Sequence, residues 1–328
     1  MKLEKVRWGI IGCGDVTEVK SGPAFQKVEN SELVAVMRRT GELARDYAER
    51  HNVPKWYDDA DALINDPDIN AVYIATPPDS HKEFTIKVAN AGKAVYVEKP
   101  MARNYKETQE MIAACKAASV PLYVAYYRRA QPRFLKIKEL IQSKAIGDVR
   151  FVSTTQYQPV SSDMMNVEKL PWRVQPELAG AGLFYDLGSH TLDILDFLLG
   201  PIESVSGFAS NQGGFYRAED LVTGTYCFKS GVQGIGSWCF TAFEDVDRNE
   251  IVGSEGKITF STFGNDPVIL TTGNQTVQWS FERPKHVHQP LVETIVSELT
   301  GKEGICPSTG ESGARTNWVM GEMVKNYY

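Results

Sequence analysis

The 328-residue sequence is poor in several features that a specialised chain would carry. Its five cysteines (Cys13, Cys115, Cys227, Cys239, Cys306) are scattered and odd in number, and no pair has C-x-x-C spacing. This excludes a disulfide scaffold or zinc knot and makes a reducing cytoplasm the default location. No apolar run reaches the roughly 18 residues that a membrane-crossing helix needs. The N-terminal apolar stretch is short, belongs to a strand and lacks a small-residue cleavage site, so no export signal is read. Basic residues are in deficit, with 35 Lys and Arg against 41 Asp and Glu and a net charge of −6. Nothing global therefore draws the chain to nucleic acid or to an anionic membrane. The motifs G-x-S-x-G and H-E-x-x-H are missing, and with them the common signatures of hydrolase chemistry. Repeats and low-complexity segments are missing too. What remains is an ordinary globular composition, 42% hydrophobic and 23% charged, over a length suited to about two domains.

The first third alternates short apolar runs with amphipathic stretches. The runs are Val6–Ile11, Leu33–Met37, Ala71–Ala75, Ala94–Val97 and Pro121–Ala125, each reading as a strand buried on both faces of a parallel sheet. Helices are expected over Gly41–His51, Ser80–Ala91 (with Gly92 as C-cap) and Asn104–Ala118. After about Tyr126 the texture changes. A helix near Pro132–Ser143 precedes a strand at Val149–Gln156 and a long Ser/Pro/Gly-rich loop from Tyr157 to Gly182. A helix is expected over Phe184–Leu199. Alternating segments follow at Ile202–Ala209, Leu221–Phe228, Val232–Phe240, Glu250–Val252, Lys257–Ser261 and Val268–Leu270, with a hairpin turn at Lys229–Gly231. Leu291–Leu299 and Ala314–Tyr328 read as helical. The fold class is an α/β N-terminal Rossmann domain with a parallel doubly wound sheet, over 1–125. An α+β C-terminal domain with a large, mostly antiparallel open sheet follows over 126–328. One face of that sheet is left for a second copy, so a homo-dimer or homo-tetramer is expected.

The first strand runs into Gly9-Ile10-Ile11-Gly12-Cys13-Gly14-Asp15-Val16-Thr17. A dinucleotide turn needs glycine at its tight bend (Gly12) and where the backbone meets the pyrophosphate (Gly14), before a helix start at Asp15 and Val16 offers free N–H groups. Thr17 stands where a third glycine is usual. This implies looser helix packing or a displaced helix start, and Pro23 favours the second. At the end of the second strand, where NAD sites carry an acid, stand Arg38 and Arg39. Their planar donor forks match a 2′-phosphate, so the expected cofactor is NADP, with NAD as the alternative. The bland alternative is two solvated loop arginines.

Gly9–Gly14, the A-T-P of Ala75–Pro77, the E-K-P of Glu98–Pro100 and the D-x-G-x-H of Asp186–His190 occur in that order. With Trp172-Arg173 and Gly180–Gly182, this set resembles the Gfo/Idh/MocA oxidoreductase family, named for glucose–fructose oxidoreductase and inositol dehydrogenase, over nearly the whole chain. The resemblance implies that Thr76, Pro77 and His81 line the dinucleotide path, that Glu98 bonds the nicotinamide ribose, and that the Lys99–Pro100 bond is cis. It also implies that the Trp172–Arg173 loop covers the cofactor, with both residues as substrate contacts. His81 is equally readable as a solvent-facing residue at a helix start.

The residues make chemical sense on their own. Hydride transfer to a carbonyl needs a proton donor and the reverse reaction needs a base. Lys99 ends a strand on the ligand-binding edge of the sheet, and His190 is the residue type that can give or take a proton at physiological pH. Asp186 lies four residues before His190, one helical turn away on the same face if the segment is helical. Lys99, His190 and Asp186 are the catalytic candidates, with neither Lys99 nor His190 ranked first. Asp193 repeats the carboxylate spacing. Tyr126 is a candidate substrate contact, although one of Tyr126 and Tyr127 is expected to pack the hinge. Cys13 reads as a packing residue. His286 and His288 read as a solvated loop with no convergent acid, so no metal is expected. The expected substrate is a small polyhydroxylated carbonyl or alcohol, such as a sugar, anhydro-sugar or cyclitol. The alternative function is a non-catalytic nucleotide-sensing regulator.

Overall fold

The computed structural model describes residues 2–273, 275–302 and 304–328. In chain order its elements are β1 (Val6–Ile11), α1 (Asp15–Val19), α2 (Gly22–Lys27), β2 (Ser31–Met37), α3 (Gly41–His51), β3 (Lys55–Tyr57), α4 (Ala60–Asn65), β4 (Ala71–Ile74), α5 (His81–Asn90), β5 (Ala94–Val97), α6 (Tyr105–Ala117) and β6 (Leu122–Val124). They continue as α7 (Pro132–Gln142), β7 (Val149–Tyr157), α8 (Pro176–Ala179), α9 (Ser189–Leu199), β8 (Ile202–Ser210), β9 (Leu221–Phe228), β10 (Gln233–Cys239), β11 (Val246–Gly253), β12 (Gly256–Phe260), β13 (Val268–Thr272), β14 (Gln275–Trp279), α10 (Gln289–Leu299) and α11 (Gly310–Val324). No helix among the described residues is long and apolar enough to cross a membrane.

The chain folds into two compact units. The first comprises residues 2–102, 106–131 and 284–314 and holds a six-stranded sheet in the order β3-β2-β1-β4-β5-β6, parallel throughout. Strand alternation explains its two cores. In A-V-Y-I and A-V-Y-V, the odd positions (Ala71, Tyr73, Ala94, Tyr96) join Trp8, Phe25 and α10 on one face. The even positions (Val72, Ile74, Val95, Val97) join Leu63, Val88 and Met111 on the other. Tyr73, Tyr96 and Tyr123 are register partners across β4, β5 and β6. The tail of this unit departs from a single division at 125. Leu291, Val292, Ile295, Val296 and Leu299 of α10 bury their apolar stripe in the core around Trp8, so 284–314 belongs with the first unit.

The second unit holds an eight-stranded sheet in the order β14-β13-β12-β11-β7-β10-β9-β8. Every pairing is antiparallel except β7 with β10. One face (Val152, Val222, Tyr226, Trp238, Ile251, Ile258) packs in a single core with Phe134, Ile137 and Leu140 of α7 and with Leu192, Leu195 and Leu198 of α9. The expected hairpin turns at Gly231, where φ is +89° and the Phe228 N–H donates to the Val232 carbonyl at 2.8 Å. Two expectations change here. The polar edge strand β14, largely exposed, lacks the apolar alternation that would mark it as a strand. The expected helix over Phe184–Leu199 opens as a π turn, Phe184–Gly188, before α9.

Candidate active site

The turn after β1 is built for close approach. Gly12 has φ +91°, and a Cβ there would lie 2.9 Å from Thr76 Cγ2 and 3.1 Å from the Ala75 main chain. The Gly12 and Cys13 N–H groups donate to the Met37 carbonyl at 2.9 and 3.1 Å, tying the turn to the end of β2. A Cβ on Gly14 would meet nothing closer than 4.0 Å. Gly14 is the N-cap of α1 and has no side chain to cap it, and it leads into exposed Asp15 and half-buried Val16. These features fit a dinucleotide pyrophosphate. The departure at Thr17 takes the displaced-helix form. α1 stops at Val19, and α2 begins at Gly22 with Pro23 in its first turn. Thr17 is buried, donating through Oγ1 to the Gly14 carbonyl at 2.7 Å and accepting at its carbonyl from Tyr47 Oη at 2.8 Å. Burial pushes the Cys13 thiol up to about 11, against the opposing charge of Arg38, so Cys13 is a packing residue and the Arg38 charge reaches the turn. The Arg38 and Arg39 side chains are exposed.

Because the strands run parallel, the ends of β1, β2, β4 and β5 share one edge. The Gly12–Gly14 turn, Arg38–Arg39, Thr76–Pro77 and Glu98–Lys99 all sit there, at the edge where open α/β sheets bind ligands. Lys99 is half-buried and its bond to Pro100 is cis. Its main-chain N–H donates to Glu98 Oε2 at 3.0 Å. Glu98 Oε1 accepts from Tyr73 Oη at 2.5 Å and lies 3.6 Å from His288 Nε2. His81 is fully buried and does not face solvent. Its Nε2 lies 2.8 Å from the Thr76 carbonyl, and its Nδ1 lies 3.2 Å from both the Pro100 and Met101 carbonyls. Its ring thus joins the end of β4 to the turn after Lys99. Tyr126 lies in the aliphatic core, and Tyr127 packs on His288 with ring centroids 4.6 Å apart.

The reading of His286 and His288 as a solvated loop is corrected: both are buried, and an acid does converge on His288. His286 Nε2 accepts from Lys27 Nζ at 2.7 Å, and its Nδ1–H donates to the Val19 carbonyl at 2.6 Å. His288 Nδ1 lies 2.9 Å from Tyr96 Oη. A neutral ring protonated at Nε2 faces Glu98 and accepts from Tyr96. Sequence reasoning misses these partners because the tyrosines read only as strand residues and the histidine lies 192 positions from Tyr96.

In the second unit, Trp172 and Arg173 sit on a 3₁₀ turn, Trp172–Val174. The Arg173 guanidinium lies 4.6 Å from the Trp172 ring centroid, and Arg173 Nε donates to Asp186 Oδ2 at 3.0 Å. Asp186 sits on the π turn, and His190 is the second residue of α9. Both are buried. The His190 ring stands perpendicular to Phe263, with centroids 5.6 Å apart. Asp193 is buried and accepts from Thr316 Oγ1 at 3.5 Å.

Burial, aided by the charges of Lys20, Lys99 and Arg128, lowers the His288 imidazole to about 3, with Glu98 facing it. The unfolded chain binds a proton near 6.5 that the folded chain refuses until about 3. The stability this contributes is therefore present above about 6.5 and lost as pH falls toward 3. Denaturant midpoints should fall on acidification in the wild type, and fall less steeply in His288→Gln. Equal acid sensitivity in the two proteins would show that His288 is not held neutral.

Residues 6–126 match the family model described as oxidoreductase family, NAD-binding Rossmann fold, and residues 134–259 match the GFO/IDH/MocA C-terminal domain. The chain is 41% identical over 316 residues to oxidoreductase P35 of Formosa agariphila, covering 96% of this chain and 97% of that one. It is 29% identical over 317 residues to the 1,5-anhydro-D-fructose reductase of Ensifer adhaerens, covering 94% and 92%. The crystal structure of an aldose-aldose oxidoreductase from Caulobacter crescentus, complexed with glycerol, superposes with a TM-score of 0.83 at 27% identity, covering 95% of this chain and 94% of that one. Glycine turn, E-K-P edge, D-x-G-x-H segment and both matched regions lead to one conclusion: the chain belongs to the Gfo/Idh/MocA family of oxidoreductases.

Proposed function

We propose that this oxidoreductase transfers a hydride between NADP and a sugar, anhydro-sugar or cyclitol, with Lys99 and His190 carrying the coupled proton. The observation that carries the reading is Lys99: a half-buried amine, tied through its main chain to a buried carboxylate, on the sheet edge that also bears the Gly12–Gly14 turn. The substrate class rests on the relatives, one named for reducing 1,5-anhydro-D-fructose and one for acting on aldoses. A bound nicotinamide dinucleotide supplies or accepts the hydride. Gly12, Gly14, Asp15 and Val16 hold its pyrophosphate, Thr76 and Pro77 line its path, and Arg38 and Arg39 grip the 2′-phosphate. Glu98 and His81 have their polar atoms engaged within the unit and shape the edge from behind.

In reduction the carbonyl carbon gains the hydride, and its oxygen takes one proton from the Lys99 ammonium or the His190 imidazolium. In oxidation the same group takes that proton back. Asp186, paired with Arg173, and Trp172 beneath that guanidinium frame the substrate's polar groups. The outer face of the second sheet is proposed as the contact between copies of the chain. Phe208, 76% exposed, and Ile235, 46% exposed, stand there among Ser153, Ser206, Thr223, Thr225 and Ser237.

Lys99→Met and His190→Asn should each lower kcat at least about tenfold while dinucleotide affinity survives; near-normal turnover in both variants overturns the assignment. Arg38→Ala with Arg39→Ala should weaken NADPH by about tenfold or more and leave NADH nearly unchanged in titrations; equal loss for both defeats the 2′-phosphate argument. Light scattering should give the wild type the mass of two or four chains, and Phe208→Asp with Ile235→Asp the mass of one. An unchanged mass removes this face as the contact.

A further inference from the structure

The loop that follows β12 is tied down more firmly than a connection needs. The carboxylate of Asp247, on β11, accepts three successive main-chain N–H groups: Thr262 at 2.8 Å, Phe263 at 2.6 Å and Gly264 at 3.0 Å. Arg133 of α7 also grips the loop. It donates through Nη1 to the Gly264 carbonyl, and through Nη2 to the Asp266 carbonyl at 3.1 Å and to Ser261 Oγ at 3.2 Å. Charge-assisted bonds of this kind are the strong ones, and several of them converge on four residues. Thr262 Oγ1 accepts from Asn249 Nδ2 at 2.9 Å, and Asn249 Oδ1 accepts from Thr154 Oγ1 at 3.0 Å, so a buried polar chain anchors the loop in the sheet.

The secured loop meets α9 at two consecutive residues. Thr262 Oγ1 and Thr191 Oγ1 lie 3.0 Å apart. The Phe263 ring stands at 83° to the His190 ring, with centroids 5.6 Å apart, an edge-to-face arrangement with a preferred geometry. The helix rotation and the imidazole plane are thus both referred to the same four residues.

We propose that the Ser261–Gly264 loop, locked by Asp247, is the seat that orients His190 for proton transfer, with Phe263 and Asp247 as positioning residues. This rests on the reading of His190 as a proton carrier. Asp247 is suited to the task because all three of its partners are donors. An asparagine has one acceptor oxygen, and its NH₂ group would confront N–H groups of the loop. A small misplacement of an acid–base group is costly, because proton transfer depends on distance and alignment.

The test combines turnover with a direct view of the imidazole. The chain has five histidines, and His190→Asn identifies the His190 signals by their disappearance from the NMR spectrum of histidine-labelled protein. Phe263→Leu, which removes the ring but keeps an apolar side chain, should move the His190 ring resonances and lower kcat about tenfold, with KM for the dinucleotide unchanged. Phe263→Tyr, which keeps the ring, should restore both. Asp247→Asn should move the same resonances, and Phe263→Leu keeps the question answerable if that variant does not fold. Resonances and kcat both at wild-type values in Phe263→Leu overturn the seat, as does a fall in kcat with the resonances unmoved. His190→Asn separates the two claims. If it retains turnover, the proton-carrier reading falls; if it abolishes turnover while Phe263→Leu behaves as wild type, that reading stands and the seat falls.

Discussion

A carboxylate taken out of water at the end of a strand organises the first unit. Glu98 closes β5 at 7% exposure, and such a group is costly to bury unless donors surround it. Tyr73, from the neighbouring strand, donates to one oxygen, and the main chain of Lys99 donates to the other. His288 faces it and is braced in turn by Tyr96. This arrangement explains why aromatic residues with polar tips occupy one side of β4 and β5: rings fill the core and hydroxyl groups reach the sheet edge. It also explains why the lysine leaves the strand in a fixed direction. The His81 ring bridges the adjoining turns, so the ends of β4 and β5 act as one piece.

The second unit follows the same logic with different chemistry. There the segment around His190 is fixed by an ion pair on one side and a polar chain on the other. Arg173 engages Asp186, while Thr191, Thr262, Asn249 and Thr154 link α9 to the sheet. The π turn at Phe184–Gly188 is packed tightly. A Cβ on Gly188 would lie 2.5 Å from the Phe184 ring, so this glycine makes room for the ring of its own turn. The glycine of D-x-G-x-H therefore has a packing reason beside the chemistry of its two flanking residues.

Features that depend on near neighbours are legible in the amino-acid order alone. Strands such as Ala71–Ile74 and Ala94–Val97 announce themselves because burial on both faces demands uninterrupted apolar residues. The same holds for Gly12, whose positive φ and close neighbours only glycine tolerates, and for Pro23, which marks a fresh helix start. Less legible are the short β3 and α4, too brief for periodicity to register, and β14, whose polar residues lie on an exposed edge. His288 reads as solvated because its neighbours in sequence are charged and polar, whereas its neighbours in space are tyrosines and Glu98.

By itself the sequence determined the fold class, the dinucleotide turn and the strand end that bears Lys99, because each rests on residues within a few positions of one another. Tertiary structure alone decided that 284–314 returns to the first unit, that Arg173 engages Asp186, and that His288 stands behind Glu98. The contacts made by 284–314 join residues far apart in the chain: 192 positions separate Tyr96 from His288, and 267 separate Val19 from His286. No periodicity or motif encodes such a meeting; it follows only when burial of the apolar faces has brought the distant segments into one core.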